Sequence, residues 1–323
     1  SLVKIAAPVA LSSVILNVSN MIDDTTIRNR LAYAIESSGD FIKEMYASSL
    51  EAAQTLDSGI VNYLYGTHGS VLNIKNLIPT ITLTLGISAI PVLSRAWTAK
   101  NKTEIKATIE SVLRVTMMIA LPAGFGIAAL SKPILTLLYP GEAHMVPIAA
   151  PMLTVYGFGI FLFAIVSPVT NMLQAVGRTD IPLRTVFIGS VVKIALNFFL
   201  IGNPKINIHG APISTTICYI IMITLNLSSL IKVTGVKINF VSVFVKPCIS
   251  GAACGVAAFG ANYLLQNVLG MRNSISAVIS ICAGAGIYAI FMLLLKGIAK
   301  SDIEMLPKGE KIAKVLEKFK LLG

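Results

Sequence analysis

VPIAAPMLTVYGFGIFLFAIVSPVTNML, residues 146–173, runs its whole length without one charged side chain. A hydrocarbon core about 30 Å thick needs roughly 20 apolar residues of helix, and this stretch exceeds that length. Seven further runs meet the same criterion, approximately residues 2–22, 70–93, 111–130, 183–201, 211–231, 246–268 and 274–295. The expected architecture is therefore an all-α integral membrane protein with about eight transmembrane helices.

Composition agrees. The 323 residues are 55% hydrophobic and 13% charged, with a mean hydropathy of +0.79, whereas an ordinary soluble domain is about 25% charged. The net charge of +11 does not point to nucleic acid, because the basic residues sit in short clusters between apolar runs instead of along one face. Those clusters set a topology. Arg95, Lys100, Lys102 and Lys106 follow the second run, Arg178 and Arg184 the fourth, and Lys232 and Lys237 the sixth, while the intervening loops carry far fewer cations. The positive-inside rule then places both termini in the cytoplasm. No methionine precedes Leu2, so the chain is expected to begin inside a longer protein.

Residues 23–69 read as one long outer loop, with Leu31, Ala34, Ile35, Ile42, Met45 and Tyr46 forming short amphipathic helices on the outer surface. From Ser301 a capping-box pattern opens a lysine-rich amphipathic helix, expected to lie on the inner leaflet and touch membrane lipid. Prolines 79, 91, 122, 151, 168 and 247 fall within or at the ends of the apolar runs, where neighbouring helices must satisfy the carbonyls they free. The small residues of GAACG (251–255) and GAGIY (284–288) suit close helix packing.

Catalytic groupings are scarce. His68, His144 and His209 fall in expected outer loops, and Cys218, Cys248, Cys254 and Cys282 read as small buried residues without metal-ligand spacing. The carboxylates lie almost wholly in loops, so no acid and base pair is visible inside the membrane. Neither catalytic residues, nor a metal, nor a cofactor is expected, and the chain does not read as an enzyme.

The polar residues within the apolar runs are the candidate cavity residues. Lys193 stands midway along GSVVKIALNFFLIG, where a central lysine costs about 2.5–3.5 kcal/mol unless it faces a cavity or a partner. Asn197 lies four residues on, on the same helical face, and the two suit an anionic ligand such as phosphate. The alternatives are a snorkelling lysine and an internal ion pair. Lys75 and Asn76, with Asn73, precede Pro79 in the second run. Asn17 and Asn20, with Ser12 and Ser13, recur at helical spacing in the first, to line a cavity or to bond between helices.

The ordered series KIAAPVALSSVILNVSNMID (4–23), LYGTHGSVLNIKNLIPTITLTLGISAIPVLSRAW (64–97), ALPAGFGIAALSKPILTLLY (120–139), NMLQAVGRTDIPLR (171–184), GSVVKIALNFFLI (189–201) and HGAPISTTICY (209–219) resembles the polysaccharide exporters of the multidrug/oligosaccharidyl-lipid/polysaccharide (MOP) superfamily. The likeness is greatest to its stage V sporulation protein B-like branch, which is similar to the lipid II flippases. The resemblance implies that residues 1–235 form the C-terminal six-helix lobe of a MATE/lipid-flippase-like fold, 236–298 two additional helices, and 299–323 the basic cytoplasmic tail. It implies a lipid-linked oligosaccharide, peptidoglycan or polysaccharide precursor as the substrate, moved by alternating access, with an N-terminal lobe needed as the facing wall. In the lipid II flippases a cavity arginine precedes the proline of the helix matching the second run, and Lys75 stands one residue out of register with it. Lys193 and Asn197 fit a KxxxN pattern of relatives. Alternatives are a cation-coupled multidrug extruder of the same superfamily, a membrane glycosyltransferase or polymerase, and a membrane partner that does not transport.

Overall fold

The computed structural model of the protein describes the backbone of residues 2–297 and the side chains of residues 21–297. The expected tail helix from Ser301 lies outside the described residues, as do the side chains of Asn17 and Asn20. The order of elements is α1 (Leu2–Met45), α2 (Ala47–Ala52), α3 (Ile60–Thr98), α4 (Lys102–Ala129), α5 (Ser131–Leu138), α6 (Val146–Ala175), α7 (Asp180–Ile201), α8 (Gly210–Thr234), α9 (Lys246–Tyr263) and α10 (Asn273–Leu294). Single π-turns, Val241–Val245 and Leu264–Val268, extend α9 at both ends. Among the described residues, seven stretches built on α3, α4 and α6 to α10 are long and apolar enough to cross a membrane. Their outward faces are apolar, with Val256 75% and Phe199 71% exposed, as expected where lipid is the solvent.

Helix α1 corrects the sequence reading. The stretch 23–69 is not a loop. Helix continues through Met45 with a break at Ser38 (φ −150°, ψ 41°), and α3 already begins at Ile60. The expected loop thus shrinks to the connection around α2. The reason is a buried stripe: Ile27, Leu31, Ala34 and Ile42 recur at helical spacing and all lie in the core. The helix that carries the expected first span therefore continues past it. Asp23 pairs with Lys193 near the middle of α7, and Arg30 Nε donates to the Phe198 carbonyl near its end at 3.0 Å. Helices α1 and α7 therefore run parallel, with Asp23 at mid-depth.

Helix α6 is the hub. It packs on α3, α4 and α8, and most of its length is buried. Glycines permit the α4 crossing: a Cβ on Gly124 would stand 2.6 Å from the Gly157 carbonyl oxygen, and one on Gly157 2.7 Å from the Ala128 nitrogen. Packing also explains the small residues of α9 and α10. Gly251 and Gly255 face Phe125 of α4, and Gly284 faces Cys254 and Ala258.

The internal prolines are compensated as membrane physics demands. Pro168 cannot donate to the carbonyl of Ala164, and Thr82 Oγ1 of α3 donates to that carbonyl instead, at 3.0 Å. Pro122 likewise frees the Met118 carbonyl, which accepts from the Tyr288 hydroxyl of α10 at 3.0 Å. These two bonds tie α3 to α6 and α10 to α4. All four cysteines are unbridged; Cys218 and Cys254 are buried as expected, whereas Cys248 and Cys282 are exposed on the apolar outer faces, where lipid accepts a small weakly polar thiol.

Candidate functional site

Two polar centres lie inside the bundle. The first joins α1, α7 and α8. Asp23 Oδ2 accepts from Lys193 Nζ at 2.5 Å, and the two side chains are 11% and 17% exposed. The other carboxylate oxygen accepts from the Asn197 amide. The Asn197 oxygen in turn accepts from the Ser214 hydroxyl on α8, and both Asn197 and Ser214 are fully buried. Lys193 is therefore neither snorkelling nor free; it is the cation of an internal ion pair. The carboxylate comes from a stretch that had read as loop. Three helices are pinned at one point, and every group of the network has a partner, which is what a low-dielectric interior requires.

The second centre is Lys75 on α3. Its side chain is only 8% exposed, and among the described residues it has neither a carboxylate partner nor a hydrogen-bond acceptor. Aromatic faces surround it instead: Nζ lies 4.8 Å from the Phe163 ring centroid, 5.3 Å from Tyr156 and 5.8 Å from Tyr219. Such contacts offset part of the desolvation of an ammonium. Tyr156 is itself held by His68, whose Nε2 lies 2.9 Å from the phenol oxygen. His68 is thus a buried residue of α3 and not the outer-loop residue expected. Asp23 and Lys193 both act on Lys75 through space, so the two centres share one electrostatic neighbourhood.

Lys75 opens onto a cavity of about 410 Å³ bounded by α3, α6, α7 and α8, a volume within the range of small-molecule sites. Asn76 and Pro79 line it from α3, Ser167, Thr170, Asn171 and Gln174 from α6, Pro182 and Val186 from α7, and Tyr219 and Met222 from α8. Of the expected cavity residues, Lys75 and Asn76 share this cavity, while Lys193 and Asn197 belong to the ion-pair network beside it. Asp23, Ser214 and the aromatic box were missed by sequence reasoning. A signal for Asp23 existed: it follows Asn17 and Asn20 at steps of three residues and begins a helical stripe that continues through Ile27 and Leu31. Among the described residues no group of three or more His, Cys, Asp or Glu could hold a metal ion. On the connection between α1 and α3, Lys43 donates to Asp57 at 2.7 Å, and this bond raises the ammonium above its ordinary pKa.

Crossing helices of alternating direction, enclosing a polar cavity, define a multi-pass all-α membrane protein. The chain belongs to the MatE family, whose sequence model matches residues 34–199. Stage V sporulation protein B of Bacillus subtilis is 22% identical over 74% of this chain and 45% of its own length. Lipid II flippase MurJ of the same organism is 23% identical over 65% of this chain and 39% of its own length. The probable low-salt glycan biosynthesis flippase Agl15 of Haloferax volcanii is 24% identical over 65% of this chain and 43% of its own length. The chain thus spans less than half the length of each of these relatives. A solved structure of lipid II flippase MurJ in an inward closed conformation superposes with a TM-score of 0.56 at 22% identity, over 73% of this chain and 47% of that one. That likeness shows the fold.

Proposed function

We propose that this chain forms one wall of the cavity of a transporter that moves a phosphate-linked carrier lipid, the precursor of a glycan, peptidoglycan or polysaccharide, across the cytoplasmic membrane by alternating access. The observation that carries the reading is Lys75: a buried ammonium with no carboxylate in contact among the described residues, opening on a cavity inside a membrane bundle. Keeping a charge there is costly, and an anionic headgroup supplies the partner that the protein withholds. The names of the relatives, a lipid II flippase and a glycan biosynthesis flippase, support the same substrate class. The facing wall belongs to a second lobe, and the clusters of lysine and arginine support an orientation with both termini inside. A cation extruder is favoured less, because Asp23, the acid nearest the cavity, is already neutralised by Lys193. No catalytic step is invoked.

Binding tests the reading. The purified chain in nanodiscs should bind undecaprenyl pyrophosphate more tightly than undecaprenol. Lys75→Gln should reduce that preference about 10- to 100-fold, the range of one charge-assisted hydrogen bond. Equal affinity for the two lipids, or a preference untouched by the substitution, refutes the role of Lys75.

A further inference from the structure

Ser167, Thr170, Asn171 and Gln174 occur at i, i+3, i+4 and i+7 on α6 and all line the cavity beside Lys75, so they form one stripe about 10 Å long. α6 is the most buried helix of the bundle, yet this stripe is polar and half exposed to the cavity. Among the described residues, none of the four side chains makes a hydrogen bond to protein. Hydroxyls elsewhere on the cavity-side helices behave otherwise: Thr80, Thr84, Ser88 and Thr98 of α3 all fold back onto carbonyls of their own helix. The Asn171 amide nitrogen is moreover buried without an acceptor. It packs over Gly86, where a Cβ would stand 2.7 Å away, so the glycine makes the space that the amide occupies. Buried polar groups are nearly always paired, so the Asn171 nitrogen is costly to leave idle unless a ligand uses it, and the other three place open donors and acceptors beside it on the same cavity wall.

We infer that this stripe is a subsite for the hydroxyl and amide groups of a sugar, placed next to the Lys75 site for the phosphate. Hydroxyls and amides both donate and accept, as sugar hydroxyls do, and the set carries no charge that would repel or capture the phosphate itself. The ligand is then read in two parts. The ammonium takes the anion, and α6 selects for what the anion carries, with the sugar lying toward the C-terminal end of α6, the end that leads to Arg178. The inference rests on the reading of Lys75 given above.

Two lipids separate the two claims. Undecaprenyl pyrophosphate and undecaprenyl-pyrophosphoryl-N-acetylglucosamine are titrated into nanodiscs carrying the full chain. The sugar-bearing lipid should bind more tightly. The double variant Thr170→Val with Asn171→Leu should erase about 10-fold of that advantage, the worth of one or two hydrogen bonds, and leave the affinity for undecaprenyl pyrophosphate unchanged. Gln174→Met, a change at one half-exposed position, should erase part of it and serves where the double variant does not fold. If pyrophosphate binding remains sensitive to Lys75 but the sugar adds nothing, or the stripe variants bind both lipids as the parent does, the subsite is refuted and the Lys75 reading stands. If neither lipid binds, both are refuted.

Discussion

Replacing Asp23 with asparagine leaves the Lys193 ammonium inside the bundle with no counter-ion, and replacing Lys193 with methionine does the same to the carboxylate. Both groups are more than four-fifths buried, so neither variant can recover hydration without moving a helix. Removing one partner of a buried pair costs about 3–5 kcal/mol, whereas replacing both with apolar groups of similar size is often near neutral. Asp23→Asn retains an oxygen to accept from Asn197, so its cost is chiefly electrostatic and should lie near the lower end. The double variant Asp23→Asn/Lys193→Met should cost less than either single change, giving a coupling energy of more than about 3 kcal/mol. Ordinary interhelical hydrogen bonds in membranes average about 0.6 kcal/mol, so a coupling of this size would single out the ion pair from generic polar packing. The assay is unfolding by titration of sodium dodecyl sulfate into mixed micelles, followed by helical circular dichroism for the four proteins of the cycle. Strictly additive single effects of under about 1 kcal/mol each would refute the pairing as the element that pins α1 to α7.

The hydroxyls that cover proline-freed carbonyls should matter modestly: Thr82→Val and Tyr288→Phe are each expected to lower stability in the same titration by about 0.6–1.7 kcal/mol, and Ser88→Ala, whose hydroxyl only bonds its own helix, by less. Gly157→Leu should be severe, because its first side-chain atom would stand 2.7 Å from a backbone nitrogen of α4. Overpacking of that kind costs about 1–3 kcal/mol or more, visible as loss of a monodisperse peak on size exclusion. The orientation is checked on a background with Cys248 and Cys282 replaced by alanine. Glu142→Cys should react with an impermeant maleimide on intact cells, and Arg178→Cys only after permeabilisation; the reverse pattern would invert the topology.

Seven of the crossings were legible because length and hydropathy are sufficient in a solvent without water: α3, α4 and α6 to α10 each match the run read from the sequence, that of α9 once its π-turn Leu264–Val268 is included and those of α4 and α10 to within one residue. The extent of the first helix, which runs on to Met45, was missed for an equally physical reason. Asp23, Asp24, Arg28 and Arg30 follow one another closely, and a window that charges each residue the cost of its isolated ion in lipid ends the span before them. The membrane does not charge that cost to Asp23, because a lysine 170 positions away neutralises it. Nor does it charge Arg28 in full, since the guanidinium stacks 3.9 Å over the Tyr65 ring and donates to Asn62. Hydropathy is a property of one segment, whereas solvation in a bundle is a property of pairs.

The same distinction divides the candidate site. Lys193 was recognisable as anomalous, but its sequence neighbourhood could not say whether a cavity or a counter-ion explained it; the partner on α1 decides for the counter-ion. Lys75 had a weaker signal, being near an end of its apolar run, yet it is the buried lysine that, among the described residues, has no carboxylate in contact. On the proposed reading the two lysines would also divide the structural and binding tasks on electrostatic grounds. A cavity cation that must release its ligand cannot also be the fixed partner of a structural carboxylate, because each transport cycle would then unpin α1. On the proposed reading, with Asp23 holding Lys193, the helix contact would persist while the Lys75 site fills and empties, so an anion at Lys75 would alter the field in the cavity without breaking the joint between α1, α7 and α8.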